Sequence, residues 1–127
     1  MGDKNLSNVL SDIVNEVGPS IDISLSSYKI IKFDKLTGVI TAQAGTTLCE
    51  ILSNVVPHGW FLGVSPGTKY TTLGGAIASD VHGKNHLKNG SFANYVEFFD
   101  LMNANGEIIR CSRKENRELF NWTLGSL

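Results

Sequence analysis

The residues best equipped for chemistry lie between Ser65 and Ser91 of a 127-residue chain. Pro66-Gly67 reads as a turn, because proline fixes one φ and glycine permits a positive one. Thr71 and Thr72 can cap a helix start. Gly74 and Gly75 follow directly and leave backbone N–H groups with no Cβ in front of them, and Ala76, Ile77 and Ala78 continue as a short helix of small residues. A helix start of this kind attracts an anion through its unpaired N–H groups and its dipole. Small residues also let the backbone approach a flat ligand. Asp80, His82, Lys84, Asn85 and His86 then crowd into seven positions of a glycine-punctuated loop between two apolar elements, and functional residues concentrate on such loops.

Three chemistries compete for this stretch. A phosphate-bearing cofactor would have its pyrophosphate cradled by Gly67, Thr68, Gly74 and Gly75, with His82 facing a reactive ring. A metal would draw on His82 and His86, four apart, with Asp80 nearby, but Gly83 disfavours the helix that would align the two imidazoles and a third ligand is not evident. The third reading is a turn-rich loop whose polar groups satisfy one another. The pattern is neither G-x-G-x-x-G nor G-x-x-x-x-G-K-[ST], which removes support for those two nucleotide folds.

The elements that must position these residues follow from periodicity. Leu6, Val9, Leu10, Ile13, Val14 and Val17 recur at helical steps over residues 5–17, and Gly18-Pro19 ends that helix. Ile21 to Leu25 alternates as an extended segment. Tyr28–Phe33 and Val39–Ala44 form a hairpin around Asp34-Lys35-Leu36-Thr37-Gly38. Thr47 with Glu50 is a capping-box pattern opening a helix that runs to about Val55. Trp60-Phe61-Leu62 reads as a short strand. Tyr95–Asn103 and Glu107–Ser112 form a second hairpin with an Asn-Gly turn, and Asn116–Leu124 is a final helix packing through Leu119, Phe120 and Trp122. Hairpins alternating with helices predict an α+β layer architecture, with a hairpin-rich mixed or antiparallel sheet flanked by helices.

Composition narrows the class. Apolar residues make up 42% of the chain and charged residues 18%, and the formal net charge is −1, as in an ordinary globular domain. Lys and Arg do not cluster, so a nucleic-acid partner is not expected. No apolar run is long enough to span a bilayer. The N-terminus lacks a signal-peptide profile, and Cys49 and Cys111 read as buried free thiols of a cytoplasmic protein.

Residues 66–86, PGTKYTTLGGAIASDVHGKNH, closely resemble the FAD-binding signature of the vanillyl-alcohol oxidase / p-cresol methylhydroxylase superfamily. The DVHGKNH part resembles its decaprenylphosphoryl-ribose oxidase-like branch. The likeness extends through DKLTGVITAQAG at residues 34–45, Trp60-Phe61-Leu62, Gly90-Ser91-Phe92 and Asn103 to Glu107. It implies that residues 1–127 are part of a PCMH-type FAD-binding domain, its second subdomain, without the small N-terminal subdomain or the C-terminal substrate domain. It also implies non-covalent FAD, with Pro66, Gly67, Thr68, Thr72, Gly74, Gly75, Ala78, Val81, His82, Gly83 and Asn85 as flavin contacts. His82 is the candidate beside the ring, and no catalytic residue or metal ligand is assigned. The implied reaction is hydride transfer to FAD from an alcohol carbon of a small molecule, such as a sugar or sugar-lipid. The alternative is a non-catalytic binding or assembly module that kept the scaffold without the flavin. An apolar face left uncovered would promote self-association.

Overall fold

The computed structural model describes residues 29–125. The helix predicted over residues 5–17 and the extended segment Ile21 to Leu25 lie outside them. The first hairpin pairs β1 (Ile30–Phe33) with β2 (Ile40–Ala42) antiparallel, with a register irregularity between Ile30 and Lys32. Its turn is built by Asp34, whose carboxylate accepts the amides of Leu36 and Thr37 at 2.9 and 3.3 Å. The second hairpin pairs β3 (Phe98–Met102) with β4 (Ile108–Ser112) without a shift. Asn103 Oδ1 accepts the amides of Asn105 and Glu107 across the Asn-Gly turn. The two hairpins are separate two-stranded sheets among the described residues, and with the helices they make the expected α+β class.

Helix α1 (Leu48–Val55) starts where the sequence predicts. Glu50 N–H donates to Thr47 Oγ1 at 3.2 Å, and the Glu50 carboxylate accepts the Thr47 amide at 2.8 Å. The buried face of α1 carries Leu48, Ile51 and Val55. Around it close Val64, Ala76 of α2 (Leu73–Ala78), Phe92, Val96, Cys111 of β4 and Phe120 of α4 (Arg117–Thr123). Burying a Leu, Ile or Phe side chain of this kind contributes roughly 1.5–3 kcal/mol. Phe120 also stacks on Phe99 with ring centroids 5.2 Å apart.

Several elements depart from the sequence reading. Trp60-Phe61-Leu62 is not a strand. The Trp60 indole lies against Gly38 of the first hairpin, and its Nε1–H donates to the Lys35 carbonyl at 2.9 Å. That long-range anchor holds the segment without a strand partner. Tyr95 belongs to a 3-10 turn, Phe92–Tyr95, and not to β3. The Arg113 guanidinium donates to the carbonyls of Ala93 and Val96, each at 2.7 Å, and so holds that turn. A short helix α3 (His86–Asn89) stands inside the polar loop. Trp122 is not a packing residue: it is 67% exposed, and Phe120 alone of the three predicted residues on α4 is fully buried. Cys111 is buried, whereas Cys49 is only partly so.

Candidate functional site

Two loops carry the site. The first, Gly63 to Lys69, leaves the buried anchor Val64, which is 1% exposed. The second, Asp80 to Asn85, joins α2 to α3. They are sewn together at Gly63, whose carbonyl accepts Asn85 Nδ2 at 3.1 Å and Asn89 Nδ2 at 3.2 Å. Gly83 lies against the Ser65 carbonyl so closely that any Cβ there would overlap it. Between the loops is an open groove of about 420 Å³ lined by Phe61, Leu62, Pro66, Gly67, Lys84 and Asn85, among others. A second cavity of about 360 Å³ lies among Asp80, His82, His86, Gly90 and Ser91.

The predicted site residues separate into two groups. Pro66, Gly67 and Asn85 line the groove, and Gly83 backs it. Thr68 is exposed beside them, its hydroxyl accepting the Tyr70 amide at 3.2 Å. A Cβ built on Gly67 meets nothing within 4 Å, so this backbone faces open space. His82 is exposed on the other side of the loop, its ring edge-on to that of His86 at 5.6 Å. Val81 packs on the core, with its amide on the Ala76 carbonyl at 3.1 Å.

Thr72 caps α2, Gly74, Gly75 and Ala78 belong to it, and none of the four lines either cavity. The sequence reading takes the amides at the start of α2 as bare, and the structure gives each of them a partner. Leu73 N–H donates to Thr46 O and Gly74 N–H to Ala44 O, both at 2.7 Å, and Gly75 N–H donates to Thr72 Oγ1 at 3.1 Å. Protein acceptors have taken those donors. The missing Cβ of Gly74 serves a different purpose, letting α2 press on Ala44: a Cβ would stand 2.9 Å from that of Ala44. The start of α1 is equally closed, with Leu48 N–H on Thr71 O at 3.0 Å and Cys49 N–H on Lys69 O at 2.8 Å.

Sequence reasoning missed Gly63 and Asn89. The available signal was the four-residue spacing of Asn85 and Asn89, which puts both amides on one side of a helical turn. His82, His86 and Asp80 do not come together as a metal-ligand cluster, and no group of three His, Cys, Asp or Glu side chains among the described residues could hold an ion. The shifted carboxylates lie outside the groove. Backbone N–H donors lower the Asp34 and Glu50 carboxyls, and the two-pronged Arg110 pair lowers Asp100.

A family model described as "FAD binding domain" matches residues 5–112, a span that contains both loops and the groove. The chain belongs to that family. FAD is therefore its cofactor class, and the exposed backbone at Gly67 fits a ligand lying against the loop without displacing protein atoms. The FAD binding domain seen here is similar to a stretch of decaprenylphosphoryl-beta-D-ribose oxidase of Mycolicibacterium smegmatis, 42% identical over 80 residues, which is 63% of this chain and 17% of that protein. It is 32% identical over 92 residues to L-gulonolactone oxidase of Bos taurus, covering 72% of this chain and 21% of that protein. A D-lactate dehydrogenase of Anaerostipes hadrus is 27% identical over 112 residues, covering 87% of this chain and 24% of that protein. The chain thus spans about a quarter or less of these relatives. No described helix is long and apolar enough to cross a membrane.

Proposed function

We propose that this chain supplies the flavin-contacting part of an FAD-dependent oxidoreductase that oxidises an alcohol group of a small molecule, of the sugar or sugar-lipid class. The observation that carries the reading is the pair of stitched loops. Asn85 and Asn89 converge on one carbonyl, Gly83 removes the side chain that would part the loops, and Gly67 presents open backbone at the groove they form. The names of the oxidases and the dehydrogenase that share this stretch support the reaction class.

Pro66, Gly67, Thr68 and Asn85 would hold the cofactor along the groove, with Val81, His82 and Gly83 from the joining loop. Thr72, Gly74, Gly75 and Ala78 support these contacts from behind, because α2 fixes where Val81 begins. FAD, when bound, supplies the hydride acceptor, chemistry that belongs to the cofactor. The protein's share is orientation. Gly63, Gly83 and Asn85 set the width of the groove, and the exposed His82 imidazole offers a hydrogen-bond group on the other side of the joining loop, at the second cavity.

Titration of the purified polypeptide with FAD, followed by flavin fluorescence, tests the reading. Gly67→Val introduces its Cβ into open space, so the melting temperature should stay put while FAD affinity falls tenfold or more. An unchanged Kd in a folded Gly67→Val variant would refute this groove as the flavin face.

A further inference from the structure

His82 is exposed and makes no hydrogen bond among the described residues, and its ring lies edge-on to that of His86 with centroids 5.6 Å apart. Its position is therefore set by its backbone and not by its side chain. The residue that sets that backbone lies two positions earlier. Asp80 is one of two non-glycine residues with positive φ among the described residues, at 41°. That conformation is uncommon for a side-chain-bearing residue but accessible to Asp and Asn. It turns the chain sharply out of α2, immediately after the cap residue Ser79.

The turn is held from outside. Asp80 Oδ1 accepts the Ala93 amide at 2.8 Å, and the Phe92 amide donates to the Val81 carbonyl at 2.9 Å. These two bonds strap residues 80–81 to the 3-10 turn Phe92–Tyr95. Arg113 grips the other side of that turn through the Ala93 and Val96 carbonyls, and its guanidinium lies 5.4 Å from the ring of the buried Phe120. A path of contacts thus runs from the core through Arg113 and Ala93 to Asp80.

We propose that Asp80 is a positioning residue for the flavin site, fixing through Ala93 the path of Val81 to Asn85 and hence the placement of His82 and Gly83. The inference rests on the function proposed above. Its chemistry needs two things from one side chain: tolerance of the left-handed backbone and an acceptor oxygen for Ala93. Three substitutions separate them. Asp80→Asn keeps both, Asp80→Gly keeps the backbone freedom and loses the acceptor, and Asp80→Ala loses both.

Amide hydrogen exchange on the whole chain without FAD is the first measurement, and FAD affinity with the flavin midpoint potential is the second. Asp80→Asn should stay within twofold of the parent in exchange and in Kd. Asp80→Gly and Asp80→Ala should raise exchange at the hydrogen-bonded loop amides of Val81, His86 and Phe92 tenfold or more with α1 unchanged, weaken FAD at least tenfold and move the midpoint potential. A residue that only holds the fold would raise exchange in α1 as well and leave the potential of the loaded protein where it was, which would overturn the proposal. Unchanged loop exchange in Asp80→Gly would also overturn it. Should Asp80→Ala fail to fold, the contrast between Asp80→Gly and Asp80→Asn decides. If the parent chain binds no FAD, the functional reading fails, while loop exchange still decides whether Asp80 sets the loop.

Discussion

Replacing Gly83 with alanine tests the stitched loops most sharply. The added Cβ would overlap the Ser65 carbonyl and stand 3.0 Å from Asn85 Oδ1. The Ser65 carbonyl is backbone and cannot swing away, so the two loops must part. Overpacking of this kind costs about 1–3 kcal/mol. Parting the loops also strains the Asn85 bond to Gly63, worth about 0.5–1.5 kcal/mol. The sum, about 1.5–4.5 kcal/mol, corresponds in a chain of this size to a fall of roughly 6–18 °C in Tm. Gly63→Ala is the matched control. Its Cβ would meet the Tyr95 ring, which is 51% exposed and can rotate outward, so its cost should be about 1 kcal/mol or less. Thermal unfolding followed by far-UV circular dichroism gives both numbers. If Gly83→Ala melts within 2 °C of the parent, or no lower than Gly63→Ala, the close approach of the loops is not what holds the groove.

Three further outcomes follow from the same contacts. Thr72→Ala removes the acceptor for the Gly75 amide and should cost about 1 kcal/mol in urea unfolding; no change would mean that the cap is dispensable. The Glu50 carboxyl is held below its ordinary value by the Thr47 amide and hydroxyl, so its contribution is present above about pH 4.3 and lost as pH falls through the lower folded value. Glu50→Gln should therefore lose less stability than the parent between pH 5 and pH 3, and parallel curves would refute the assignment. Cys111 is fully buried and its thiol is pushed up, chiefly by burial, so a disulfide reagent at pH 8 should modify Cys49 well before Cys111 in the folded chain, with equal rates counting against the core described above.

What the sequence made legible was local. Thr47 and Glu50 sit three apart and cap α1, the Asn103 to Gly106 turn closes the second hairpin, and Thr72 starts α2, because each of these acts over three or four residues. What stayed hidden was set by partners far along the chain. Nothing near Trp60 announces that its indole will bond Lys35, 25 positions away. The glycine pair at 74–75 looks like bare amides until Ala44 arrives to accept one of them. Trp122 fits the apolar stripe of α4 in sequence but falls on its outer side. Of the groove residues, Gly67 came from the phosphate reading of the loop itself and Pro66 and Asn85 from resemblance, and Gly63 escaped because a carbonyl's role leaves no mark on residue type.

The shared ladder between the starts of α1 and α2 divides the chain into rigid and permissive stretches. Leu48 and Cys49 donate to Thr71 and Lys69, Thr47 bridges Thr72, and Leu73 donates back to Thr46. One residue inserted between Lys69 and Leu73 would slide every one of these bonds out of alignment and turn both helices together. The tip of the second hairpin at Asn105 carries no such bond beyond its own turn, whereas the first turn is tied to Trp60 through the Lys35 carbonyl. A tag, a fluorophore or a grafted peptide belongs at the second tip, where the rest of the molecule would not register its arrival.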